Sequence, residues 1–305
     1  MKHPITIIYH GNCPDGFGAA LSAYLYFKQQ ASYKTLKKNI IYYKGIHGNA
    51  PPECISHNVY ILDFSYSRDH IQALCHRAHS VILIDHHISA YKELKELDKE
   101  LDNLTLLFDM QQSGAVLSWQ HFHNTATPEL LQHIQDNDLW QFKLNNTRTI
   151  LSAIMSYPLK MRLWNSWLND EHALEKLHAE GLILQRQTTR QIKHYKRAAR
   201  MGKIAGYTVP VVNAPSSIGS DLLHQLSEDH PFAAAYEDKP DRRTWQLRSG
   251  GKQAIDVSEI ARLFGGGGHK NASGFSTENF TIELTAKKPA KKPDAQKKNS
   301  EPKLN

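Results

Sequence analysis

The feature that most constrains this chain is a set of short apolar runs that lack polar alternation and stop on a carboxylate or an imidazole. ITIIYH (5–10) closes on His10, NVYILDF (58–64) carries Asp63, SVILID (80–85) closes on Asp85, and LTLLFD (104–109) closes on Asp109. A strand with one wet face would alternate apolar and polar residues. Runs that are apolar throughout predict strands buried on both faces, which is the pattern of a parallel sheet. NIIYY (39–43) predicts a further strand. The segments 16–29, 67–79, 113–123 and 128–140 predict helices between the strands, the last opening on Pro128. The connections are long enough for right-handed crossovers. Ligands in such sheets gather outside the carboxyl ends of the strands, so the terminal His and Asp side chains are expected to share one polar site.

A second region begins near Gly202. YTVPVVNAP (207–215), FAAAYED (232–238) and RTWQLRSG (243–250) predict strands, and SSIGSDLLHQLS and DVSEIARLF predict helices. The expected fold class is α/β: a parallel-sheet domain over 1–165, a helical connector over 166–201, and a smaller α/β domain over 202–285. The site is expected in the cleft between the two domains. On the connector, Arg186, Arg190, Lys193, Arg197 and Arg200 recur every three or four residues and predict one basic helical stripe. The ordinary reading is a solvated face; the sharper one is a guide for a phosphate backbone.

Charge needs to be located before it is interpreted. The chain carries a formal +7, but the Lys/Pro-rich tail 286–305 holds +5 of it. The body is nearly neutral, and the tail is expected to be disordered. Three cysteines, Cys13, Cys54 and Cys75, are too few and too scattered for a disulfide framework or a structural zinc site. No apolar run is long enough to span a bilayer, and the N-terminus lacks the pattern of a signal peptide. These features lead to the expectation of a cytoplasmic protein without membrane contact.

The strand ends offer His10, Asp15, Asp63, Asp85, His86 and His87, and the helix 128–140 adds Asp136 or Asp138. Oxygen and imidazole donors suit divalent cations, Mn²⁺ foremost, with Mg²⁺ or Co²⁺ as alternatives, one or two per site. Carboxylates converging without a cation would repel one another. Any one of these aspartates would ordinarily be a helix cap or a solvated strand end; Asp109 is read that way and left out of the site. His47, His57, His70 and His121 receive no role. Farther along, Gly265 to Gly268 precede His269, and glycines let backbone N–H groups approach an anion closely. Arg248 and Ser249 close the strand QLRS, where a guanidinium suits bidentate phosphate binding.

VILIDHH (81–87) with an Asp-ended strand before it, YHGNCPDGFGAA near the N-terminus, and DVSEIARLFGGGGHKNASGF (256–275) together resemble the DHH phosphoesterase superfamily with its DHH-associated C-terminal domain. The resemblance runs over roughly residues 5–280 in the family's order. The first motif is most similar to the branch of oligoribonuclease-like and cyclic-nucleotide-phosphodiesterase-like proteins. It implies that His10, Asp15, Asp63, His86 and Asp136 ligate metal, with Asp63 bridging two ions. Asp85 is implied as a ligand or as the residue that orients an imidazole, and His87 as the residue facing the scissile phosphate. Arg248, Ser249, Gly266, Gly267, Gly268, His269 and Asn271 are implied to bind substrate.

The implied activity is hydrolysis of short RNA to mononucleotides by metal-activated water. Cyclic mononucleotides, dinucleotides and 3′-phosphoadenosine 5′-phosphate stay open as substrates, as does a non-catalytic nucleotide-binding module. No protein partner is implied, and a homodimer is left open. One departure stands out: many relatives carry Asp-x-Asp where this chain has Cys13-Pro14-Asp15. The thiol either ligates as thiolate or stands by as a neutral neighbour.

Overall fold

The computed structural model describes residues 3–278 apart from Ala31 and His47. The basic tail 286–305 and the end of the expected second domain, 279–285, lie outside the described residues, as does His47.

The expected strands form where the apolar runs place them. They are β1 (Ile5–His10), β2 (Ile40–Gly45), β3 (Asn58–Leu62), β4 (Ser80–Asp85) and β5 (Leu104–Phe108), all parallel in the order β2-β1-β3-β4-β5. The helices are α1 (Pro14–Gln29), α2 (Tyr33–Leu36), α3 (Arg68–Cys75), α4 (Ile88–Leu94), α5 (Gly114–Phe122) and α6 (Glu129–Asp138). Ile7, Leu62 and Ile84 are buried against α1 and α5 on one face, while Ile8, Ile61 and Leu83 are buried against α3 on the other. That two-sided burial is why these strands carry no polar alternation. After β2 the chain crosses back over β1 and continues on its other side. The strand order therefore reverses between β1 and β3, where an open α/β sheet leaves a crevice for ligand. His10 ends β1 and Asp63 follows β3, so both stand at that crevice.

The connector is not a free linker. Three helices, α7 (Thr147–Ser156), α8 (Met161–Leu168) and α9 (Ala173–Ala198), occupy the junction. Trp164 of α8 is fully buried and packs edge-on to Phe17 at 4.9 Å, so α8 belongs to the first core. Leu177 of α9 joins that same core, whereas Ile192, farther along α9, joins a core of the second domain. One helix thus ties the two domains together. It lies close on α7 because residue 181 is glycine: a Cβ there would sit 1.8 Å from the Thr149 carbonyl oxygen. The basic stripe is shorter than expected. Arg186, Arg190, Lys193 and Arg197 lie on α9, but the helix ends at Ala198 and Arg200 opens the next strand.

The second domain has β6 (Arg200–Ile204), β7 (Tyr207–Asn213), α10 (Ser216–Leu226), β8 (Ala233–Asp238), β9 (Arg242–Arg248), α11 (Val257–Arg262), β10 (Gly267–His269) and β11 (Ala272–Glu278). Its sheet is mixed, in the order β10-β11-β9-β8-β7-β6, with only β7 and β8 parallel. The glycine run is therefore not a loose loop but the start of an edge strand. Gly265 and Gly268 adopt positive φ (74° and 136°), and a Cβ at Gly266 would sit 2.1 Å from the Gly274 carbonyl oxygen.

Gly181→Ala should separate α9 from α7 and destabilise the protein by about 1–3 kcal/mol, read as a lower midpoint in urea denaturation.

Candidate metal centre

Local chain geometry brings the strand ends together. Asp63 leaves β3 in the left-handed region, at φ 53°, while its N–H still bonds to the Ile84 carbonyl of β4 at 2.9 Å. Its carboxylate is thereby aimed across the sheet edge. A non-glycine residue there is uncommon, and such backbone positions cluster at functional sites. Room for it comes from Gly114, where a Cβ would lie 2.3 Å from the Asp63 Cβ.

Asp15 lies in the first turn of α1, but its carboxylate faces a different helix. It accepts the Gly114 N–H at 2.7 Å and the Ala115 N–H at 3.0 Å, at the start of α5. Asp15 thus serves the first amides of α5 rather than those of its own helix.

His86 sits in the middle of this group. Its Nε2 lies 3.1 Å from Asp63 Oδ1, 3.5 Å from Asp138 Oδ2 and 3.7 Å from Asp15 Oδ2. Burial alone would lower this imidazole, but the hydrogen bond to Asp63 and the charges of Asp138 and Asp15 hold it up at about 10. Asp63 is buried too, yet the His10 and His86 imidazoles keep its carboxyl well below the usual range. Asp15 is pushed well above that range, by burial first and then by the charge of Asp63 and Asp138. Burial likewise raises Asp138. Cys13 is driven up by burial and by the same three carboxylates.

One imidazolium cannot satisfy this much negative charge. Oδ2 of Asp63, of Asp85 and of Asp138 are all buried without a hydrogen bond. His10 Nδ1 lies 3.4 Å from Asp63 Oδ2. Unsatisfied carboxylate oxygens in a buried cluster call for a cation. The donors fall into overlapping sets whose ligand atoms lie within 4.8 Å of one another: Asp63, Asp85, His86 and His87; Asp15, His86 and Asp138; and His10, Cys13 and Asp63. This donor chemistry fits divalent cations of the Mn²⁺ or Mg²⁺ kind.

The structure corrects one expected ligand. The Asp136 carboxylate faces away from the cluster and accepts the Lys143 N–H at 2.7 Å, the Leu144 N–H at 3.1 Å and the Thr147 hydroxyl at 2.6 Å. It holds the turn between α6 and α7, while Asp138, two residues on, enters the cluster. Asp109 stays outside, closing its own turn through Gln111 and Gln112. Asp85 Oδ1 accepts from His87 Nδ1 at 2.6 Å and from the His86 N–H at 2.8 Å. Burial would lower His87, but the charge and hydrogen bond of Asp85 raise it to about 9.

The second domain closes over this edge. His269 stacks on His87 with ring centroids 4.6 Å apart and lies 5.5 Å from His86, and a further set of possible ligands is His86, His87 and His269. Burial and the two neighbouring imidazoles push His269 down to about 3. A cavity of about 920 Å³ runs between the domains, with His10, Asp85 and His87 on one wall and Arg248, Gly265–Gly268 and His269 on the other.

Arg248 is the partly buried cation of the far wall. It donates to the Leu247 carbonyl and the Ser220 hydroxyl, each at 2.9 Å, and no carboxylate among the described residues pairs with it. Burial lowers it to about 10. Ser249 and Asn271 do not line the cavity. Ser249 donates to the Ile255 carbonyl at 2.7 Å and lies 3.3 Å from Asn271 Oδ1, so the pair braces the turn behind the glycine strand. Phe64, Tyr66, His70 and Gln246 also line the cavity. Of these, only the run FSYS directly after Asp63 carries a usable sequence signal, as aromatic residues beside a strand end.

No protein-family model matches the chain. It is similar to uncharacterized protein R106 of Acanthamoeba polyphaga mimivirus, with 29% identity over 288 residues, covering 89% of this chain and 67% of that protein. Among solved structures it is similar to the pGpG-specific phosphodiesterase PggH from Vibrio cholerae, with 14% identity and a TM-score of 0.46, covering 91% of this chain and 94% of that one. It is also similar to RecJ from Thermus thermophilus in complex with Mn²⁺, with 13% identity and a TM-score of 0.48, covering 90% of this chain and 49% of RecJ.

Mn²⁺ added to chelator-treated protein at about a hundred times its Kd should stabilise the fold by about 2.7 kcal/mol, reversed by excess chelator and read as a shift in Tm. Asp138→Ala should shrink that gain without lowering the stability of the metal-free protein. Asp136→Ala should instead cost about 1–3 kcal/mol by stranding the donors of the 143–147 turn and keep most of the gain.

Proposed function

We propose that this chain is a metal-dependent phosphodiesterase of the DHH superfamily that hydrolyses short RNA oligonucleotides. The carrying observation is that one cavity has Asp85, with its unsatisfied oxygen, between His10 and His87 on one wall, and on the other, beside a glycine strand, Arg248, which no carboxylate among the described residues pairs with. A phosphodiester bridges such a pair of walls: its anionic oxygens suit Arg248 and the cations that the carboxylates attract. The sequence motifs named above support the same reading.

His10, Asp15, Asp63, His86 and Asp138 would hold the cations, with Asp85 contributing its free oxygen. Divalent ions there supply Lewis acidity and lower the pKa of water toward neutrality, which phosphodiester hydrolysis requires. The remaining work belongs to the chain's own groups. Arg248 binds and orients the phosphate through a planar fork of donors. The glycine strand lets the phosphate approach its backbone closely. Asp85 pins Nδ1 of His87, which leaves Nε2 as the nitrogen available to the cavity. Held protonated near neutral pH, that imidazole donates a hydrogen bond to a phosphate oxygen as charge builds in the transition state. His269 covers His87 and excludes water from that side.

Short substrates fit the electrostatics better than long duplexes. The body of the chain is nearly neutral once the tail is set aside, and a long polyanion relies on many basic contacts. The cavity volume lies within the range of ordinary small-ligand sites.

The test uses chelator-stripped protein, 5′-labelled RNAs from the dinucleotide upward, and Mn²⁺, Mg²⁺ or Co²⁺ supplied singly. Metal-dependent release of mononucleotides, fastest from the shortest RNAs, is the expected result. Turnover confined to cyclic AMP or 3′-phosphoadenosine 5′-phosphate would keep the chemistry and replace the substrate; tight nucleotide binding without turnover would replace the enzyme with a binding module. Asp63→Ala should abolish turnover with the fold retained by circular dichroism. Arg248→Lys should raise KM more than it lowers kcat, because a point charge replaces a bidentate fork.

A further inference from the structure

Cys13 occupies a place that its chemistry does not explain as part of a helix start. It is the N-cap of α1, where oxygen side chains serve best, and its side chain makes no capping hydrogen bond. Pro14 follows at the first helical position, so the helix start is already preset without help from residue 13. Cys54 and Cys75, the latter at the end of α3, are by contrast packed in the apolar core between α3 and the sheet, where a cysteine is simply a small hydrophobe.

The sulfur of Cys13 instead lies within 4.8 Å of ligand atoms of His10 and Asp63. Asp63, 1% exposed, brings to this group the Oδ2 that is buried without a hydrogen bond. That oxygen has His10 Nδ1 beside it at 3.4 Å, too far for a good hydrogen bond, and a cation held jointly by His10, Cys13 and Asp63 would satisfy it. An imidazole, a carboxylate and a sulfur at one corner form a mixed donor set, while the opposite corner, Asp15, His86 and Asp138, has no sulfur.

We propose that Cys13 is a metal ligand, and that its thiolate makes the His10–Cys13–Asp63 position selective for a borderline or soft divalent ion such as Co²⁺ or Zn²⁺ over Mg²⁺. The proposal rests on the metal-dependent reading above. Binding exchanges the thiol proton for the metal: the S–H bond breaks, the S–metal bond forms, and the proton leaves to solvent. Thiolate ligands favour such ions, whereas carboxylate and water favour Mg²⁺. The two corners would therefore differ in preference, with the sulfur corner filling first with the softer ion.

The experiment titrates Co²⁺ into the chelator-stripped full chain and follows near-ultraviolet sulfur-to-cobalt charge-transfer absorption, with bound metal counted by equilibrium dialysis. The wild-type protein should develop the band with the first equivalent of Co²⁺. Cys13→Ser should lose it and bind that equivalent about tenfold or more weakly. Cys13→Asp should also lack the band but gain Mg²⁺ affinity by a similar factor, and circular dichroism on both variants controls for folding.

Stoichiometric Co²⁺ binding without the band would overturn the proposal, as would a band that survives in Cys13→Ser. A protein that binds no divalent ion would overturn both this proposal and the enzymatic reading. The band together with an absence of phosphodiester turnover would leave Cys13 as a ligand and remove only the proposed activity.

Discussion

Everything at the functional edge of this protein follows from a charge deficit around His86. Three carboxylates face one imidazole nitrogen, which has a single proton to give and lies closest to Asp63. Water does not reach Asp15 or Asp63, which are each 1% exposed. Leaving such charges unpaired is costly, and protonating them is the usual escape, which is why Asp15 and Asp138 are raised. A divalent cation resolves the same deficit without protons. The fold prepares for it at three separate points: Asp63 in a left-handed backbone position, Gly114 without a Cβ to obstruct it, and the first amides of α5 holding Asp15.

The carboxylate wall is useful only if something opposes it at a fixed distance, and that is the task of α9. Its 26 residues extend about 39 Å and place Leu177 in one core and Ile192 in the other. A second tie lies on the outside of the junction: Arg148 of α7 pairs with Asp221 of α10 at 2.7 Å and stacks 3.6 Å from the Phe142 ring. The His87–His269 stack forms the third tie, at the site itself. Domains joined only by a flexible linker would be free to move apart. Here these contacts hold the two domains together, so Arg248 and Asp85 line opposite walls of one built space.

Much of this is legible in the sequence, for definite reasons. Both-face burial writes itself as unbroken apolar runs, so all five parallel strands can be read with their ends nearly in place. Glycine and proline mark the turns, and the strand-terminal positions of His10 and Asp85 follow directly. The choice within Gln135-Asp136-Asn137-Asp138 is not legible. Two residues on a helix are separated by about 200°, so one carboxylate faces the sheet edge and the other faces away. Which is which depends on where the 143–147 turn presents its N–H donors, and that is a tertiary fact. Ser249 and Asn271 escape a sequence reading for a related reason: short polar side chains beside glycines satisfy nearby backbone and one another as readily as they meet a ligand. The basic stripe loses Arg200 because the periodicity continues past the point where the backbone turns into a strand.

The two walls of the cavity are also coupled through one side chain. His87 is held by both domains. Its Nδ1 is fixed by the first domain through Asp85, and its ring face is covered by the second domain through His269. His269 is pushed down to about 3 by burial and by the His87 and His86 imidazoles beside it, so it adds cover without adding a positive charge. A charged residue in that place would repel the protonated His87 and weaken the contact that closes the cleft. The same neutrality leaves Arg248 as the cationic side chain of the far wall. Positive charge and imidazole cover thus come from two different side chains, although both reach the cavity from the same sheet, on β9 and β10.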